Sequence, residues 1–77
     1  MENLNLTQLK SNEKATVVAI KGGFGFARRL ESLGIREGVE IKKISSQLMR
    51  GPITIQIGNS QVALGFGMAQ KIIVRKN

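Results

Sequence analysis

Residues 21–29 read Lys21-Gly22-Gly23-Phe24-Gly25-Phe26-Ala27-Arg28-Arg29. Glycines ahead of a helix leave backbone amides facing outward, where they can hold an anion, and nearby arginines would add charge. That is the chemistry of a phosphate cradle. The spacing argues against it: Gly23-x-Gly25 lacks the third glycine of a dinucleotide loop, and no Gly-Lys-Ser/Thr follows. The plainer reading is a turn that swings the chain into a helix. Composition removes other chemistries. The chain has no His, Cys, Trp or Tyr. Disulfides need Cys pairs, zinc sites need Cys or His, and a Ser-His or Cys-His nucleophile needs its imidazole. All five acidic residues are Glu and they are scattered, with Glu37 and Glu40 the nearest pair. Transition metals favour imidazole or several carboxylates. The expectation is therefore no catalytic residue, no metal ligand and no cofactor in the isolated chain, which is read as a protein that is not an enzyme.

What remains is recognition. Twelve Lys and Arg against five Glu give a formal charge of +7. Arg28 and Arg29 suit an electrostatic contact to an acidic partner surface. A basic chain is also drawn to the anionic cytoplasmic leaflet. Small basic barrels bind nucleic acid, and that is the alternative reading. Against it, the cations are dispersed from Lys10 to Lys76, and only Phe24, Phe26 and Phe66 could stack on bases. Leu48, Met49 and Arg50, together with Phe66 and Met68, form two further candidates for partner contact. Such apolar groups either cap the end of a barrel or form an exposed patch.

These residues must be positioned by one small domain spanning residues 1–77. A chain of this length buries roughly 60% of its extended surface, enough for a single core. Its start has no basic n-region and no apolar run, and no segment reaches the roughly 20 apolar residues of a membrane span. A cytoplasmic setting is expected.

Leu6 and Leu9 anchor a short turn that Thr7 would cap. Asn12 can take a left-handed conformation. Residues 14–21, rich in Thr and Val, read as the first strand. From Phe24 to Leu33 the period changes, and Phe26, Ala27, Leu30 and Leu33 share one helical face. Gly34 stands at a left-handed helix stop, with Ile35 folding back onto the last turn. After Gly38, Val39, Ile41 and Ile44 alternate imperfectly, which implies a bulge near Lys43. Residues 45–51 read as a loop, and Pro52 opens the strand of Ile53, Ile55 and Ile57. Gly58-Asn59 is a hairpin turn into Val62 and Leu64. Residues 65–69 read as a turn or one 3₁₀ turn, and residues 71–75 as the last strand. The fold class is mainly β with one inserted short helix. Closing five strands into a small SH3-like barrel hides the apolar face and protects the edges.

The order of these segments resembles a known family. Ile20-Lys21-Gly22 ends the first strand, and Arg-Leu-Glu-Ser-Leu-Gly-Ile-Arg-Glu-Gly runs from Arg29 to Gly38. Gly-Pro-Ile-Thr-Ile-Gln-Ile-Gly follows from Gly51, then Val-Ala-Leu from Val62, and Ala69 leads into Ile72 and Val74. This is similar to the ferrous iron transport protein A (FeoA) family over essentially the whole chain. The resemblance implies an SH3-like barrel and a partnership with the membrane ferrous iron transporter FeoB, whose cytosolic part holds a GTPase domain. It implies a cytoplasmic setting and supplies no catalytic residues to carry over, and the charge of +7 would suit an interaction module working beside the inner face of the plasma membrane. Transition-metal binding enters at the family level only, and without His or Cys no tight iron site is expected in the isolated chain. Related domains occur fused to iron- or manganese-responsive repressors, and a homo-oligomer is compatible with the pattern. Gly22, Gly34, Gly38, Leu30 and Leu33 are expected to be structural.

Overall fold

Aliphatic residues at every second position build most of a sheet in this computed structural model, which describes residues 3–46 and 51–77. The strands are β1 (Asn3–Asn5), β2 (Lys14–Ile20), β3 (Glu40–Ser46), β4 (Ile53–Ile57), β5 (Ser60–Leu64) and β6 (Ile72–Lys76). Helix α1 (Phe24–Ser32) joins β2 to β3, and the short α2 (Phe66–Ala69) joins β5 to β6. A 3₁₀ turn (Leu6–Gln8) follows β1. Every neighbouring pair is antiparallel, in the order β1-β6-β2-β3-β4-β5.

Ala15 and Val17, Ile41, Ile53 and Ile55, Leu64, and Ile72 and Val74 are the buried aliphatic positions of β2 to β6. Their period of two puts all of them on one face. The molecule measures 29 × 26 × 25 Å, whereas a flat sheet is a layer about 10 Å thick. The sheet is therefore curled around its apolar face into an SH3-like barrel. Two register shifts help it bend, between Val17 and Ala19 on β2 and between Lys43 and Ser45 on β3. The second falls where the alternation of β3 breaks in the sequence.

Among the described residues the barrel has six strands rather than the expected five. The additional strand, β1, runs Asn-Leu-Asn, with no strand propensity of its own. It forms by pairing with β6, Asn3 opposite Arg75 and Asn5 opposite Ile73. The turn after it is capped by Asn5, not Thr7. The Asn5 side chain accepts from the Thr7 N–H at 2.9 Å, and the Gln8 side chain accepts from the Asn5 N–H at 2.9 Å. Leu6 and Leu9 are buried as its anchors.

An inward-facing lysine fastens this turn to the barrel. Lys43 lies two residues beyond Ile41 on β3 and is buried. Its ammonium donates to the carbonyl oxygens of Leu6 at 3.3 Å, Thr7 at 3.2 Å and Leu9. Its backbone completes the join: the Asn12 N–H donates to the Lys43 carbonyl at 2.6 Å, and the Lys43 N–H donates to Glu13 at 3.0 Å. Burial holds the Lys43 pKa below the usual lysine range, opposed by the nearby Glu13 carboxylate. Asn12 is left-handed, with φ 73°.

Helix α1 covers part of the interior with Leu30, which is fully buried, while Phe26 packs at its margin. Leu33, expected on the same face, is instead 43% exposed. The helix has already ended there. The Gly34 N–H donates to the Glu31 carbonyl and the Ile35 N–H to the Leu30 carbonyl, both at 2.9 Å. This crossed pair of bonds is a Schellman stop. It requires the φ of 91° at Gly34 and turns Ile35 inward, fully buried, in the place Leu33 would have filled. The Gly38 N–H donates to the Val17 carbonyl at 2.8 Å and closes the next turn against β2. Residues 66–69 form a single α-helical turn, with Ala69 buried beneath it.

Candidate interaction surface

The outer side of α1 presents an aromatic ring to solvent. Phe24, at the first helical position, is 78% exposed. One turn later Arg28 lies over its ring, with the guanidinium 5.6 Å from the centroid. Residues four apart face each other on a helix, so the pair is local. An exposed cation–π contact of this kind contributes about 0.5–1 kcal/mol. It holds the ring in one place, which lowers the entropy that a partner's binding would cost.

Beside the pair runs a groove of about 360 Å³ lined by Ile20, Phe24, Ala27, Arg28, Glu31, Arg36 and Glu37. Ile20 comes from the end of β2, and the two residues after Gly34-Ile35 supply Arg36 and Glu37. Its lining joins three apolar residues to two arginines and two glutamates. That combination suits protein recognition, where a desolvated aromatic anchor is ringed by polar groups.

The far side of α1 fixes its angle. Phe26 turns inward, and the Lys71 ammonium sits 5.2 Å from its ring centroid. Gly22 lies beneath both. A Cβ there would come within 3.1 Å of each side chain, and the φ of 102° disfavours any other residue. The Lys21 N–H, donating to the Lys71 carbonyl at 2.8 Å, ties the same corner together.

Of the residues expected at a partner contact, Arg28 lines the groove. Arg29 is exposed and does not line the groove, and its carbonyl accepts from the Ser32 hydroxyl at 2.7 Å. Phe66 and Met68 are half-buried and pack against the core. Leu48, Met49 and Arg50 lie outside the described residues. Glu37 belongs to the α1 groove, whereas Glu40 lines a separate hollow of about 270 Å³ with Lys14, Lys42 and Gln56. Phe24 was not singled out by the sequence. Its signal was present, because it stands off the stripe of Phe26, Ala27 and Leu30.

Among the described residues no helix is long and apolar enough to cross a membrane. Comparison with known proteins identifies the surroundings of this surface. The family whose sequence profile matches is the FeoA domain, over residues 4–76. A Methanocaldococcus jannaschii protein provisionally named Fe(2+) transport protein A is 40% identical over 65 residues, covering 84% of this chain and 77% of that one. A crystal structure of an iron uptake regulatory protein (FeoA) superposes with a TM-score of 0.89 at 32% identity, over 100% of both chains. A manganese-dependent transcriptional repressor shares the fold, with a TM-score of 0.87 at 24% identity over 97% of this chain and 42% of its own. The barrel is thus the fold of that family, and this chain belongs to the FeoA domain family.

Proposed function

We propose that this protein is a non-enzymatic accessory factor of ferrous iron uptake that docks through α1 on the cytosolic, GTPase-containing part of the membrane transporter FeoB and supports its activity. Two relatives named for Fe(2+) transport or iron uptake support the process. The observation that carries the docking mode is the exposed Phe24 ring held under Arg28 beside a groove lined by apolar and charged residues. The module acts by binding one conformation of its partner better than another, which shifts the population. The net charge of +7 favours work beside the anionic inner leaflet. Nucleic acid is the weaker candidate. Single strands are held on a series of aromatic platforms, and among the described residues Phe24 is the one strongly exposed ring.

The test is co-elution of the purified chain with the transporter's cytosolic portion. The double variant Arg28→Glu with Arg29→Glu, its fold checked by circular dichroism, is expected to lose co-elution. Unchanged co-elution would remove α1 from the contact. A gel shift at about 150 mM salt, where binding by charge alone fades, separates the nucleic-acid reading.

A further inference from the structure

The two edges of the sheet differ. One edge is β1, only three residues long, and short edges resist unwanted pairing. The other is β5, five residues in unbroken register with β4 from Ile53–Leu64 to Ile57–Ser60. Edge strands are normally guarded by Lys, Pro or a bulge. β5, Ser-Gln-Val-Ala-Leu, has none of them.

The hairpin geometry shows which groups face outward. Ile57 and Ser60 pair across the two-residue turn Gly58-Asn59, and such flanking residues exchange hydrogen bonds. Alternation then directs the N–H and C=O groups of Ser60, Val62 and Leu64 toward β4. Those of Gln61 and Ala63 face away, and both residues are exposed. Among the described residues none supplies a partner to these outward groups.

Charge points to the occupant. Residues 51–70 carry no charged side chain, although the whole chain is +7. Two copies of so basic a chain repel one another across most of their surface, and the β4–β5 hairpin is where they can approach. The outward groups are also self-complementary. In an antiparallel pairing centred on Val62, Gln61 of one copy faces Ala63 of the other, and every outward N–H meets an outward C=O. Val62 then meets its own copy in the non-hydrogen-bonded position, a favourable place for β-branched pairs.

We propose that the edge strand β5 joins a second copy of this chain in a twofold antiparallel pairing, continuing the sheet from one barrel into the next. The surface is distinct from α1, so this pairing stands independently of transporter docking. A single edge strand buries far less than a standard interface of about 800 Å² per partner. The dimer is therefore weak, with a dissociation constant on the order of 1 mM to 100 µM.

Sedimentation equilibrium over a concentration series tests it, with amide hydrogen exchange read on the same samples. The expected result is a mass rising from monomer toward dimer, together with slower exchange at Gln61 and Ala63 as concentration increases. Ala63→Lys places a charge at the edge and is expected to remain monomeric with an unchanged melting temperature. Ala63→Pro deletes one outward N–H and should also abolish pairing. A mass that stays monomeric at about 1 mM, or variants that associate as the parent does, would overturn the proposal. Growth beyond the dimer would overturn its twofold form.

Discussion

The Lys43 ammonium lies 3.3 Å from the Leu6 carbonyl oxygen, a contact between residues 37 apart in the chain. With the carbonyls of Thr7 and Leu9 it forms a buried three-point attachment. The N-terminal turn is thus held to β3 by a cation inside the barrel, in addition to the pairing of β1 with β6.

Removing the cation should expose this dependence. Lys43→Met keeps the length and apolar stem but removes the donor from the Thr7 and Leu9 carbonyls, while Leu6 keeps the Leu9 N–H. Unsatisfied buried acceptors cost about 1–3 kcal/mol. Urea denaturation is expected to show a loss of that size, with exchange protection lost first in residues 3–9. An unchanged midpoint would mean that the carbonyls find other donors at no cost.

Acid should loosen the same end of the molecule. Glu13 Oε1 accepts from the Lys10 N–H at 2.7 Å, and Oε2 pairs with Lys76 Nζ at 3.2 Å. The backbone bond from Lys10, then the bond from Lys76, hold the Glu13 pKa below the usual carboxylate range. A folded-state pKa below the unfolded one stabilises above the unfolded value of about 4.3 and is lost as pH falls through the folded value. The parent is expected to lose melting temperature more steeply than Glu13→Gln as pH drops below about 4.3. Parallel acid profiles for the two proteins would show that the pair contributes nothing.

Gly25 within α1 and Gly34 just beyond its end should respond in opposite directions. Gly34→Val forces a β-branched residue to the φ of 91°, at a cost of about 1–3 kcal/mol. Gly25 lies within the helix, without positive φ and with open space where a Cβ would go. Gly25→Ala is expected to stabilise by about 0.5–1 kcal/mol. Thermal melts of both variants test the helix and its stop together.

These features were unequally visible in the sequence. β2 to β6 were legible because Val and Ile recur with a period of two, and the β3 bulge showed as a break in that period. β1 was not, since Asn3-Leu4-Asn5 becomes a strand only beside β6. Lys43 was noticed as the place of a bulge, yet its inward position depends on carbonyls more than 30 residues away. The helix face was assigned through Leu33 because periodicity carries no information about where a backbone reverses, and Gly34 hands that place to Ile35. In the candidate site, Arg28 was recognised by its charge. Phe24 was named only as a ring that could stack on bases, although its place off the stripe of Phe26, Ala27 and Leu30 already put it outside the core.

The role of α1 is tested most directly by calorimetric titration of the parent and Phe24→Ser into the purified cytosolic portion of the ferrous iron transporter. Loss of a central aromatic anchor costs about 2 kcal/mol or more, roughly 30-fold in affinity. The account predicts measurable binding by the parent, and for Phe24→Ser that loss with the fold retained and stability lowered by no more than the roughly 0.5–1 kcal/mol of the Arg28 contact. Equal affinities, or no heat with the parent, would contradict it.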